Sequence, residues 1–180
     1  AAAAALALFA PVMLAAAAAI WLEDGFPVLY RQTRVGRGNR PFRMLKFRSM
    51  RKGASGSKVT AAGDVRITVV GRVLRRYKLD ELPQFWNVVR GEMSIVGPRP
   101  EVPDYVDPGE PAWSAVLRYR PGITDLATLL YRNEEEVLAG APDPDRYYRE
   151  VLLPSKLALN ARYARASSAW SDLKLVLLTL

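Results

Sequence analysis

The first 22 residues, Ala1 to Leu22, contain no charged or strongly polar side chain, and nothing else in the chain narrows its folding options so far. As one straight helix the segment would reach roughly 33 Å, enough to cross a bilayer at about 1.5 Å per residue. Pro11 stands at its middle. Its ring crowds the carbonyl of Ala7 and has no N–H to donate to it, so a kink is expected there. Alanine runs at residues 1–5 and 15–19 make the segment less greasy than a leucine-rich span. Two halves of about ten residues are too short to cross singly. The favoured geometry is re-entrant, entering and leaving by one face with Pro11 as the break. A simple span and a cleaved signal peptide are the alternatives, although no basic residue precedes the apolar run as a signal's n-region would.

Trp21-Leu22-Glu23-Asp24-Gly25 then offers an interfacial aromatic, two acids and a turn into water. Every basic residue lies C-terminal to the apolar run, consistent with a body on the cytoplasmic face of a membrane. The net charge of +8 is concentrated. Arg31, Arg34, Arg37, Arg40, Arg43, Lys46, Arg48, Arg51, Lys52 and Lys58 fall in one stretch without an acid. Such a block attracts polyanions: lipid head groups, nucleotide phosphates or nucleic acid. Two absences narrow the chemistry further. The chain has no cysteine and no histidine, which excludes disulfides, thiolate nucleophiles, imidazole bases and Cys- or His-ligated metals. Chemistry falls to Asp, Glu, Lys, Arg, Tyr, Ser or Thr, and a metal would be a hard, oxygen-liganded ion such as Mg2+.

Residues 23–180 read as one α+β body, mostly helical with a small β-hairpin, behind the membrane helix of residues 1–22. Val28 to Val35 and Pro41 to Ser49 flank a glycine-containing turn, which predicts the hairpin. Alternation sends Leu45 and Phe47 to one face of the second strand and Lys46 and Arg48 to the other. Gly53 to Gly63 reads as a mobile loop, and Gly71 to Tyr77 as a short amphipathic helix. Arg66, Arg72, Arg75 and Arg76 add positive potential just ahead of the pair Asp80-Glu81. Leu82, Phe85, Trp86 and Val89 recur at helical spacing, with Pro83 suited to a first turn and Gly91 to the end. Asp80 is thereby placed near an N-cap, a common use of an acid, and equally near backbone amides that suit a phosphate. Gly97-Pro98-Arg99-Pro100 is a stiff loop, because each proline fixes its own φ and restricts its predecessor. Arg120-Pro121-Gly122-Ile123-Thr124 is a second. Helices are expected over Asp145 to Leu153 and Ser155 to Ala166, broken at Pro154. An apolar C-terminal helix from Trp170 could lie along the membrane interface.

The run Lys78-Leu79-Asp80-Glu81-Leu82-Pro83-Gln84-Phe85-Trp86-Asn87, continued through Gly91-Glu92-Met93-Ser94 to Gly97-Pro98-Arg99-Pro100-Glu101, resembles the signature of the bacterial sugar transferases. These are monotopic phosphoglycosyl transferases that load a sugar phosphate onto a polyprenol phosphate. Supporting matches are Arg31-Gln32-Thr33-Arg34-Val35-Gly36, Lys46-Phe47-Arg48, both arginine-proline loops and Ser171-Asp172-Leu173-Lys174. The likeness runs from about Ala10-Pro11 to Asp172. It departs at Ala10-Pro11, where the family has Ser-Pro, and at Asp125-Leu126, where members usually read Gly-Leu.

The resemblance implies a minimal catalytic unit in which Asp80 attacks the sugar-bearing phosphate of a UDP-sugar, forming an aspartyl phosphosugar and releasing UMP. Polyprenol (undecaprenyl) phosphate then takes the sugar phosphate, the first membrane step of a glycan's assembly. It further implies Mg2+ at Asp80 and Glu81, and phosphate or nucleotide binding by Lys46, Arg48, Arg75, Arg99 and Arg120. Pro98, Pro100 and Asp172 would support the site. The expected partners are a UDP-sugar, polyprenol phosphate and a phospholipid membrane, with no nucleic acid. The rival reading is a membrane-tethered basic module binding nucleic acid or anionic lipid. That reading leaves Asp80-Glu81 and the proline-framed Arg99 without a role.

Overall fold

In the computed structural model, which describes residues 2–56 and 59–179, the apolar segment is one helix, α1 (Ala2–Asp24), and it runs through Pro11. The kink expected at Pro11 does not end the helix. Proline removes one backbone bond there, and the surrounding alanines and leucines, strong helix formers, carry the helix across. Leu8, Leu14, Trp21 and Leu22 are exposed, whereas Ala16 and Ile20 are buried with Met13 and Ala17 beside them. Those four fall at i, i+3, i+4 and i+7, so only the C-terminal half of α1 has a protein-facing stripe.

The chain divides into two compact units. The first comprises Ala1–Gln32, Arg43–Gly56 and Asp64–Gly91. In it α1 packs on α2 (Val69–Arg76) and α3 (Gln84–Val89) around Phe47 and Leu74. Burying a side chain the size of Ile20 contributes about 1.5–3 kcal/mol. The expected hairpin forms as β1 (Leu29–Val35) and β2 (Pro41–Phe47), its ends in the first unit and its tip in the second.

Helix α3 inverts its expected packing. Trp86 and Val89 of the apolar stripe are about half exposed, while Pro83, Gln84 and Asn87 are buried. The buried amide explains this: Asn87 accepts from Leu45 N–H (3.0 Å) and donates to Arg43 C=O (2.8 Å), serving as an extra partner for β2. Periodicity identifies a face but not what covers it.

The second unit comprises Thr33–Phe42, Ser57–Gly63 and Glu92–Leu180. Two short strands, β3 (Ser94–Val96) and β4 (Gly122–Thr124), pair in parallel with Ser94 opposite Gly122 and Val96 opposite Thr124. The helices described here are α4 (Pro111–Val116), α5 (Leu126–Leu130), α6 (Glu134–Ala139), α7 (Pro144–Tyr147), α8 (Leu153–Ala166) and α9 (Ala169–Thr179). Trp113, Val116, Leu138, Leu152, Leu153 and Leu157 form the centre of their core. The break expected at Pro154 is a π turn over Tyr148–Leu152, with Pro154 in the first turn of α8, where its missing N–H costs little. Lys58, with Ser57, lies outside the described residues, as does the middle of the Gly53–Gly63 loop. The described end of that loop is anchored. Val59 joins the second unit's core and Ala62 N–H donates to Glu135 C=O.

Candidate active site

Asp80 and Glu81 sit on a short 3-10 turn, Leu79–Glu81, between α2 and α3 in the first unit. Lys78 precedes them in a left-handed conformation (φ 57°, ψ 16°) that a side chain adopts only under tertiary constraint. The turn therefore ends α2 and presents both acids before α3 begins. Pro83, not Asp80, occupies the N-cap of α3, which corrects the expected cap. Both carboxylates are nearly enclosed, at 7% and 9% exposure. Lys46 on β2 donates Nζ to Glu81 Oε1 at 2.8 Å, a partly buried ion pair that offsets one of the two adjacent charges. Arg75 lies in the last turn of α2, half-buried and four residues before the turn begins at Leu79.

Arg48 has a different task from the expected one. It is buried, and its guanidinium donates to the carbonyls of Asp24, Gly25 and Pro27 while pairing with the Asp24 carboxylate at 3.1 Å. These are orphan acceptors at and beyond the C-terminus of α1, so Arg48 caps that helix. Glu23 closes the neighbouring amides: its oxygens accept from Val69 N–H (2.7 Å) and Val70 N–H (3.0 Å), and Thr68 Oγ1 accepts from Gly71 N–H. The N-terminus of α2 is thus filled by the chain's own acid.

In the second unit the two arginine-proline loops meet through the β3–β4 pair. Gly122 N–H donates to Pro98 C=O and Gly97 N–H to Thr124 C=O. A methyl group on Gly97 would overlap the Arg120 carbonyl, and one on Gly122 the Gly97 backbone, so this approach demands glycine at both places. Pro98 and Pro100 are buried and Arg99 between them is half-buried, as a braced arginine requires. The loop is pinned on both sides. Asp125 Oδ2 accepts from Arg99 N–H at 2.8 Å. Arg34 donates to Pro100 C=O and to Glu101, and Tyr148 donates its hydroxyl to Glu101 Oε1 at 2.5 Å. Lys156 bridges Tyr148 and Glu134, closing a network of two cations and two carboxylates. Burial and the neighbouring Glu101 push the Tyr148 hydroxyl well above the usual phenol range, so it stays a donor.

A cavity of about 190 Å3 opens beside these loops, with Pro98, Arg120, Asp125, Asn160, Tyr163 and Asp172 among its lining. Arg120 is exposed at its wall, and Asp172 on α9 accepts from Tyr163 Oη at 2.9 Å. The structure therefore gathers Asp80, Glu81 and Lys46 in one unit, and Pro98, Arg99, Pro100, Arg120 and Asp172 around one region of the other. Sequence reasoning missed the roles of Asp125, Asn160, Glu23 and Asp24. Asp125, ahead of Leu126-Ala127-Thr128, carried a readable N-cap signal, and it does cap α5 through Thr128 N–H. Its bonds to Arg99 and Asn160 had no local signal.

A sequence profile described as "Bacterial sugar transferase" matches residues 1–180. The UDP-glucose:undecaprenyl-phosphate glucose-1-phosphate transferase of Caulobacter vibrioides is 43% identical over 179 residues, covering 97% of this chain and 63% of that protein. The UDP-N-acetylgalactosamine-undecaprenyl-phosphate N-acetylgalactosaminephosphotransferase of Aeromonas hydrophila is 46% identical over 129 residues, covering 69% of this chain and 30% of that protein. The exopolysaccharide production protein ExoY of Rhizobium meliloti is 35% identical, covering 100% of this chain and 80% of that protein. The chain thus spans less than two thirds of the first two relatives.

Proposed function

Because the chain belongs to the bacterial sugar transferase family, we propose that it moves a sugar phosphate from a UDP-sugar to polyprenol (undecaprenyl) phosphate at a membrane surface, with Asp80 as nucleophile. The observation that carries this is the enclosed Asp80-Glu81 turn with Lys46 on Glu81. A carboxylate attacking an anionic phosphate must not face a second uncompensated carboxylate, and Lys46 supplies that compensation. An Asp80 oxygen bonds to the sugar-bearing phosphorus, and the bond from that phosphorus to the bridging oxygen breaks. UMP leaves with the bridging oxygen. An oxygen of the lipid phosphate then attacks the same phosphorus, the Asp80 ester bond breaks, and polyprenol diphosphosugar forms with Asp80 restored. Two displacements replace one difficult transfer. In the second unit Arg99 and Arg120, on loops fixed by glycine and proline, suit phosphate binding.

Among the described residues no group of three or more acidic side chains forms a cation site. The paired carboxylates of Asp80 and Glu81 suit Mg2+, which usually takes its other ligands from water and substrate phosphate. When bound there, Mg2+ would neutralise charge on the phosphate groups.

The surface supports a membrane setting. Val69, Val73 and Tyr77 on α2 and Trp86 and Val89 on α3 leave apolar side chains exposed in the first unit, and Trp170, Leu173 and Leu177 do so on α9 in the second. Helix α1 is clear of its own unit's core only before Met13. Pro11 lies in that stretch, and a bend at it on membrane insertion would let the segment return by the face it entered. The basic block is also less free than a polyanion-binding stripe would need, since Arg34, Lys46 and Arg48 are engaged with Glu101, Glu81 and Asp24.

The test is intact-mass measurement after incubation with a panel of UDP-sugars and Mg2+ but no acceptor. A phosphosugar adduct and UMP are expected, the adduct absent from Asp80→Asn and turnover reduced at least about a thousandfold. Wild-type turnover by that variant would remove Asp80 from the mechanism.

A further inference from the structure

We propose that the cavity of the second unit seats the uracil ring of a uridine nucleotide, and that Asn160, oriented by Asp125, reads it. This rests on the donor being a UDP-sugar. At about 190 Å3 the cavity is smaller than the roughly 300–1,000 Å3 that encloses a drug-sized ligand, so it admits one ring rather than a whole nucleotide sugar. Its walls suit a flat heterocycle. Tyr119, Tyr163 and Pro98 line it, Tyr163 is tethered through its hydroxyl to Asp172, and Arg120 adds a cation to the lining.

The polar reader follows from hydrogen-bond accounting. Asp125 is buried and accepts from Arg99 N–H, Thr128 N–H and Asn160 Nδ2 (2.9 Å). With three donors on it, the Asp125 side chain acts here only as an acceptor. It therefore fixes which way the Asn160 amide faces: the NH2 must point to Asp125 and the carbonyl oxygen away from it. That oxygen accepts no hydrogen bond among the described residues, although Asn160 is only 6% exposed, and the cavity is the open space Asn160 lines. An acceptor with no protein donor, on a residue that lines a cavity, can take a donor from a ligand seated there. The N3–H of uracil is such a donor on a flat ring. Cytosine places an unprotonated nitrogen there, so acceptor would meet acceptor.

The experiment measures binding of UMP, CMP and N3-methyl-UMP to the whole chain in lipid nanodiscs, by calorimetry and by competition against UDP-sugar turnover. UMP should bind at least about tenfold more tightly than either analogue, since both lack the donor. Asn160→Leu should bring UMP down to the level of CMP. Ala164→Trp, which fills the cavity from another lining position, should weaken UMP at least about tenfold and provides a reading if Asn160→Leu fails to fold. Equal binding of the three nucleotides, or undiminished UMP binding by folded Ala164→Trp, overturns the assignment. If UDP-sugars still release UMP in that case, the transferase reading stands without it. If no UDP-sugar releases UMP, the transferase reading itself fails and this inference with it.

Discussion

At the scale of single residues, two neighbouring cations, Lys46 on β2 and Arg48 just past its end, do opposite work. Lys46 offsets a carboxylate at the Asp80-Glu81 turn, whereas Arg48 caps α1. The difference is geometric. An ammonium is one compact charge and suits a single carboxylate, while a guanidinium spreads five donors over several acceptors. Arg48→Met should therefore destabilise the first unit by about 2–4 kcal/mol, because the Asp24 carboxylate and the carbonyls at the end of α1 lose their donors. Arg48→Lys should recover less than half of this. Thermal unfolding in detergent micelles measures both, and an unshifted midpoint for Arg48→Met would show that water replaces the guanidinium freely. The pair Lys46-Arg48 was legible as two cations near a turn. Which acid each would meet was not, because Asp24 and Glu81 are brought to them from distant parts of the chain.

At the scale of elements, α2 shows how docking overrides propensity. Gly71 lies in its first turn, where alanine would ordinarily favour the helix by about 1 kcal/mol. Here a methyl group would overlap the backbone of Ser49, including its carbonyl oxygen. Gly71→Ala should reverse the usual sign and destabilise the first unit by about 1–3 kcal/mol, read as a lowered unfolding midpoint. A rise in the midpoint would mean that α2 can slide from Ser49 at no expense. The existence of α2, the hairpin and α8 was legible because each rests on local pattern, turn residues and spacing. The outward apolar face of α3 and the parallel β3–β4 pair were not. Three-residue strands carry too little alternation, and their partners lie some 28 positions apart by register, Ser94 to Gly122.

For the whole molecule, the proposed membrane arrangement is open to direct test because the chain has no cysteine of its own. Single cysteines at Ala2 and at Lys174 should both be labelled by an impermeant thiol reagent added to inside-out membrane vesicles, and neither in intact spheroplasts. Labelling of Ala2→Cys from the spheroplast exterior would establish a full crossing. Each unit holds its own core, one built on Phe47, Leu74 and the buried face of α1, the other on Trp113, Leu138 and Leu157. The second also encloses a balanced charged network that no stretch of sequence announces.

The sequence alone determined the apolar leading helix, the exclusion of thiol and imidazole chemistry, the hairpin and the paired acids framed by arginine and proline. These are properties of composition, spacing and local conformational preference, and they are complete within a few residues. Tertiary structure alone decided that Arg48 serves a helix end, that Asn87 is buried while Trp86 is not, and that Asp125 orients both Arg99 and Asn160. Each of these is a pairing between groups far apart along the chain. A buried polar atom takes whatever partner the folded backbone brings within about 3 Å, and its neighbours in sequence do not specify that partner.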